Sequence, residues 1–254
     1  MKRMILATAA LALVAGSAVA QEVKDGQWRG VAGMSASLSA GNTTSRNFVA
    51  NASVARSTAV DKLSFYGNAL SGYTEVAGVK TSNQQWLVGT KYDHDIAGNL
   101  YGFGQLNFEG DKARNLSLRS SLGAGLGYHV VASKENTFNI FGGVAYTHDK
   151  FRAPQVINGE TRSTYGAPEL MLGEESSHKL TDTVSFQQKA IFYPNLKDTK
   201  EYRATFDAGL AVAMNKTLNL TVGVADRYNS MVPAGVKKND LTVYTGVSMK
   251  LGAQ

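Results

Sequence analysis

Glu174, Ser176 and His178 stand at two-residue spacing and have the residue types of nucleophilic hydrolysis. A serine hydroxyl attacks an acyl carbon when an imidazole within hydrogen-bond reach takes its proton and an acid orients the ring. On one β-strand the three share a face, but same-face neighbours lie about 7 Å apart. The chemistry therefore requires a cross-strand partner, and the plainer alternative is a polar strand end. A second group is Arg119, Glu175, Lys189, Arg203, Asp207 and Arg227. If their segments are strands, all six project to the same side of the sheet. Charges gathered inside a closed wall either select solutes by sign or pair with one another and fill the space. Gly123-Ala124-Gly125-Leu126-Gly127 has the look of a phosphate-cradling loop, yet that loop needs a strand before it and a helix opening after it. Here the glycines lie inside a strand, where they leave room for side chains opposite or let the wall bend. The four histidines, His94, His129, His148 and His178, show no metal-ligand spacing. No catalytic residue, cofactor or metal site is expected.

The segment that positions these groups is Asn115 to Tyr128, NLSLRSSLGAGLGY. Its even positions are Leu116, Leu118, Ser120, Leu122, Ala124, Leu126 and Tyr128; its odd positions are polar or glycine, with Arg119 among them. Alternation at period 2 marks a strand with one apolar and one polar face. The same pattern recurs over Trp28–Ala40, Phe48–Arg56, Leu63–Tyr73, Gln84–His94, Phe138–His148, Tyr202–Met214, Leu218–Tyr228 and Leu241–Leu251. It is weaker over Leu170–Lys179 and Val184–Tyr193, where Gln188 interrupts the apolar face, and Leu100–Glu109 gives no clear face. Together these make about twelve strands of roughly 9–13 residues, long enough to cross a bilayer at a tilt.

Met1-Lys2-Arg3, an apolar run from Met4 to Val14 and Ala18-Val19-Ala20 read as a secretory signal peptide over residues 1–20, leaving a domain of residues 21–254. Removal of Lys2 and Arg3 lowers the net charge from +6 to about +4. That charge is diffuse, with no basic block, so no nucleic-acid partner is expected. There is no cysteine, hence no disulfide and no thiolate site. No segment of the mature chain approaches the roughly 18 apolar residues of a transmembrane helix, so a membrane role requires a closed barrel.

The connections agree with a barrel. Those after every second strand are short: Ser57–Asp61, Ile96–Asn99, Ala132–Asn136, Leu180–Thr183 and Asn215–Thr217. Most of the others read as longer loops: Thr74–Asn83, Asp149–Glu169, Pro194–Glu201 and Asn229–Asp240. Outer-membrane barrels have short periplasmic turns and longer external loops, and an even strand number puts both termini on the short-turn side. The expected fold is thus all-β, a closed antiparallel transmembrane barrel, with apolar side chains outward and Trp28, Tyr73, Trp86, Tyr92, Tyr128, Tyr146, Tyr202 and Tyr228 as interfacial girdles. One departure is the end of the chain: alternation stops at Leu251 and Gly252-Ala253-Gln254 follow, where such barrels usually end on an aromatic residue. Twelve strands about 4.8 Å apart and tilted about 40° close on a backbone radius of roughly 12 Å. Arg and Lys side chains reach about half that distance, which leaves at best a narrow aqueous path and favours a plugged or very narrow lumen over an open channel or a general porin of about 16–18 strands.

The chain resembles the salt-induced outer-membrane protein family, whose function is unknown. The residues that carry the resemblance are Leu38-Ser39-Ala40-Gly41-Asn42-Thr43, Lys91-Tyr92-Asp93, Leu118-Arg119 and Gly125-Leu126-Gly127-Tyr128. Further matches are Gly173-Glu174-Glu175-Ser176-Ser177-His178-Lys179-Leu180, Glu201-Tyr202-Arg203 and Asp226-Arg227-Tyr228-Asn229-Ser230. The resemblance implies a barrel in the outer membrane of a Gram-negative bacterium and a link to salt or osmotic conditions. The implied partners are outer-membrane lipids, lipopolysaccharide and the barrel-assembly machinery. A non-enzymatic role is expected, in envelope integrity or in passage of small solutes or ions. The alternatives are a lipid-acting outer-membrane hydrolase and a soluble periplasmic ligand-binding β-protein.

Overall fold

The computed structural model describes residues 24–39, 43–76, 79–157, 159–232 and 238–252. The signal segment lies outside the described residues. Twelve strands form: β1 (Trp28–Ser39), β2 (Thr43–Ser57), β3 (Asp61–Val76), β4 (Val79–Ala97), β5 (Leu100–Asp111), β6 (Leu116–Ala132), β7 (Asn136–Ile157), β8 (Glu160–Lys179), β9 (Val184–Pro194), β10 (Tyr202–Ala213), β11 (Leu218–Asn229) and β12 (Asn239–Gly252). Each pairs antiparallel with its neighbours in sequence. β1 also pairs with β12, from Arg29 opposite Gly252 to Ala36 opposite Thr245, and this closes the sheet into a barrel. Closure leaves no edge strand with unpaired N–H and C=O groups.

The faces are inverted relative to a water-soluble barrel. Leu122, Leu126, Val144, Leu241 and Val243 point outward and are 54–64% exposed. Inside lie Asn68, Gln85, Lys91, Gln105, Ser121, Thr147 and Asp149, all buried. Rings gather at both ends of the outer surface. Toward the short turns are Trp28 with Phe65 (centroids 6.0 Å apart), Tyr92 and Tyr128. Toward the other end Phe192 is tilted against Tyr202 at 5.7 Å and Tyr202 stacks on Tyr228 at 5.3 Å, with Trp86 on β4 and Tyr146 on β7. An apolar belt bounded by aromatic rings is the pattern of a wall between hydrocarbon and water.

Three expectations need correction. Asp149–Glu169 is not a loop: β7 runs to Ile157 and β8 begins at Glu160, so the segment is a hairpin standing beyond the wall. Its inward residues there include the apolar Phe151 and Ile157 and its outward ones the charged Lys150 and Arg152, the reverse of the pattern within the wall, and Pro154 interrupts what alternation remains. Pro154 is accommodated because the register slips between Lys150 and Gln155. Asn115, at φ 59°, holds that slip: its side chain donates to the Ala153 carbonyl at 2.6 Å and accepts from the Ala153 N–H at 3.0 Å. Thr74–Asn83 is likewise strand where it is described, with β3 running to Val76 and β4 beginning at Val79. Third, Leu116 does not face outward. A register shift between Leu116 and Leu118 turns it inward, where it packs with Phe151 and Ile157. The contrast between the two ends of the barrel thus lies mainly in strand length. Connections 58–60, 98–99, 133–135, 180–183 and 214–217 are tight, while β4, β7 and β8 project past the opposite rim.

Inside the wall, rings lie over glycines on the adjacent strand. Tyr101 is directly opposite Gly127, Phe103 opposite Gly125, Phe141 opposite Gly173, Tyr66 opposite Gly89 and Tyr244 opposite Gly223. A Cβ on any of these glycines would collide with the facing ring. Gly125 and Gly143 also face each other, with their backbones in close approach. We expect Gly143→Val to destabilise the barrel by about 1–3 kcal/mol through overpacking, whereas Gly104→Ala, where a Cβ would meet nothing within 4 Å, changes stability little. Urea unfolding of the two variants in detergent micelles measures the difference.

Candidate functional site

The barrel encloses a cavity of about 980 Å³. Its lining extends from Lys24, Lys134 and Lys216 at the short-turn end to Arg114, Met231 and Val232 at the other. The six charges singled out from the sequence, Arg119, Glu175, Lys189, Arg203, Asp207 and Arg227, all line it. The structure does not leave them separate; it joins them to acids and bases on neighbouring strands.

Arg119 donates from Nε and Nη2 to the two oxygens of Asp149, each at 2.6 Å, and from Nη1 to Glu109 at 2.9 Å. Arg203 holds Glu169 in the same forked way, at 2.9 and 2.7 Å, and lies 3.9 Å from the centre of the Tyr193 ring. The second oxygen of Glu169 also accepts from Thr147 at 2.8 Å. Arg227 donates to Asp207 at 2.6 Å. Lower down, Glu175 sits between Lys91 at 3.8 Å and Lys189 at 3.3 Å, and Lys91 is 2.8 Å from Asp93. Two of these contacts span the bore. Lys91 on β4 reaches Glu175 on β8, and Arg114, from the β5–β6 turn, donates to the Arg227 carbonyl on β11 at 3.3 Å.

Sequence reading missed Lys91, Glu109, Asp149 and Glu169. Lys91 carried a usable signal, because it alternates with the outward Trp86, Val88 and Tyr92. Asp149 and Glu169 were hidden by the assignment of their segment to a loop. It also missed the internal ring cluster. Tyr101, Phe103, Phe141, Met171, Ile191 and Tyr193 form a buried apolar group within the lumen. Lys91 Nζ lies 5.3–5.8 Å above three of the rings, Tyr101, Phe103 and Phe141, close enough for cation–π attraction. The β1–β3 side is lined instead by small groups such as Ser53, Ala55, Ser57 and Ser64. The remaining space therefore lies between the ring cluster and a stretch of wall slimmer on β2, beside which Tyr66, Lys62 and Arg29 also line the cavity.

Glu174, Ser176 and His178 share the outer face, as their spacing requires, and are not joined into a catalytic set. His178 Nδ1 is 3.0 Å from Asn136 Oδ1, and the ring stacks near Phe186. Ser176 Oγ has no hydrogen-bond partner among the described residues. Glu174 contacts Gln188 at 3.4 Å. His129 stacks on Tyr101 at 4.5 Å, while His94 is 2.6 Å from Asp61. Beyond the wall, Arg29 donates to both oxygens of Asp25 at 2.7 Å and holds that carboxyl well below the usual carboxylate range. This pairing persists at every pH above the ordinary carboxylate value and is lost only as pH falls through the lowered one.

A guanidinium that satisfies two carboxylates cannot be removed without leaving both exposed to each other. We expect Arg119→Met to destabilise the barrel by about 3 kcal/mol. Lys189→Met, whose ion pair is more open to water, should cost under about 1 kcal/mol. Denaturant titration in micelles reports both values.

Residues 32–250 match a family described as "Protein of unknown function, DUF481". No curated protein matches the chain. Among solved structures, an outer membrane channel from Pseudomonas putida F1 aligns at 9% identity and TM-score 0.51, covering 89% of this chain and 96% of that one. The translocator domain of autotransporter NalP from Neisseria meningitidis aligns at 13% identity and TM-score 0.49, covering 92% and 90%. The NanC porin aligns at 10% identity and TM-score 0.49, covering 89% and 99%. The likeness is one of fold.

Proposed function

The chain belongs to the DUF481 family of proteins of unknown function, and we propose that it is a non-enzymatic outer-membrane barrel that passes small solutes or ions. The observation that carries this reading is the cavity whose lining reaches both ends of the barrel. The outward apolar belt with rings at each end supports a bilayer as its surroundings. In that setting outer-membrane lipids and lipopolysaccharide contact the wall, the barrel-assembly machinery inserts it, and both termini lie in the periplasm with the short turns. A role under salt or osmotic stress rests on the resemblance of the sequence to the salt-induced outer-membrane proteins.

A second reading, envelope integrity without transport, is favoured by the forked ion pairs and the two contacts that span the bore. Planar-bilayer recording separates the two. Small, discrete current steps are expected from the refolded protein, and Arg114→Ala, which removes the contact across one mouth, should enlarge them. A silent bilayer would favour the structural role. Native membranes should release the protein only with detergent; release in buffer alone would point to a soluble periplasmic protein. Lipid turnover lost in His178→Ala would establish the hydrolase instead.

A further inference from the structure

The distribution of charge along the cavity points to the class of solute. At the short-turn end the lining cations are Lys24, Arg29, Lys62, Lys134, Lys216 and Lys250. The acids beside them are Glu135, Asp25 (bound by Arg29) and Asp95 (bound by Lys24). Six positive charges thus face three negative ones, and Asp93, opposite Lys62 and ion-paired with Lys91, borders this group and the deeper one. Lys62 and Lys250 are aimed inward by register, since Lys62 is opposite the buried Ser57 and Lys250 opposite the buried Val31. Deeper in, the balance is close to neutral: Lys91, Lys189 and four arginines, Arg114, Arg119, Arg203 and Arg227, stand against seven acids. Five of these, Glu109, Asp111, Asp149, Glu169 and Asp207, lie in the half beyond the ring cluster, with Asp93 and Glu175 near it.

The deeper acids are poor cation sites despite their number. Both oxygens of Asp149 are bonded to the Arg119 fork, and both oxygens of Glu169 to the Arg203 fork. Their lone pairs face guanidinium groups rather than the open space. The lysines at the turn end are compact, flexible cations with three donors each. They ring a mouth of roughly 12 Å backbone radius, and side chains that reach about half that distance inward put their charges about 6 Å from the axis, within the Debye length of about 8 Å at physiological ionic strength. Their fields therefore overlap across the mouth. A cleft lined by one sign of charge concentrates the opposite ion.

We infer that the barrel is an anion-preferring passage, with a cationic vestibule at its short-turn end that gathers small carboxylate-, phosphate- or halide-type solutes. This inference rests on the transport reading above. Planar-bilayer recording of the refolded protein under a potassium chloride gradient tests it. The reversal potential should have the sign of chloride selectivity, and the ratio of chloride to potassium permeability should fall at least about twofold in Lys62→Glu/Lys250→Glu as the vestibule loses its positive field. Current steps with potassium selectivity in the unmodified protein would overturn the inference and leave transport standing. Absence of steps would overturn transport itself. Chloride selectivity that the double variant leaves unchanged would overturn the vestibule assignment. The unmodified protein alone decides the sign, even if the double variant fails to insert.

Discussion

Hydrocarbon offers no hydrogen bonds, so a chain surrounded by it must satisfy every main-chain N–H and C=O from its own neighbouring strands. The pairing of β1 with β12 is the interaction that makes this complete. Without it two rows of unpaired groups would face the lipid, and the other eleven ladders could not compensate. Alternation follows from closure: once the wall is sealed and one sheet thick, each residue belongs either to the outside or to the bore. The same constraint explains why no disulfide is needed in a chain without cysteine. The ladder itself fixes circumference, register and the height of every lumen charge.

Closure also sets the problem the lumen has to solve. A bore of this radius is too wide for one layer of ordinary side chains to fill and too narrow to leave charges well hydrated. The chain meets both demands with forks. Arg119 and Arg203 use planar guanidinium groups to hold Asp149 and Glu169 bidentately, a geometry that lysine cannot supply. Lys189 and the lysines around the short-turn mouth have more access to water, whereas the buried Lys91 is held by Asp93, Glu175 and three rings.

Much of this was legible from period-2 alternation. Leu122, Leu126 and Tyr128 against Gly123, Gly125 and Gly127 fixed the faces of β6, and from them the inward direction of Arg119. Similar logic on β10 and β11 placed Arg203, Asp207 and Arg227. Alternation misleads where the polarity of the two faces reverses. The hairpin from Asp149 to Glu169 turns the apolar Phe151 and Ile157 inward and the charged Lys150 and Arg152 outward, so its strands did not match the pattern of the wall, and two of the principal acids were lost with them. It misleads again at a bulge, because one extra residue exchanges the faces, as Leu116 shows. On β5 the inward positions Tyr101 and Phe103 are as apolar as a lipid-facing pair, so the strand gave no clear face. Only the glycines opposite them, on β6, mark those rings as internal.

Those ring-and-glycine pairs separate two dimensions that a cylinder of fixed strand number would otherwise tie together. Circumference is set by how many strands close the ladder, whereas the free bore depends on which member of each facing pair carries bulk. Exchanging Tyr101 with Gly127, or Phe141 with Gly173, would move mass from one stave to the next at constant total volume. Replacing a ring by a small residue would widen the bore locally. Calibre can therefore drift among related chains while the hoop around it stays the same.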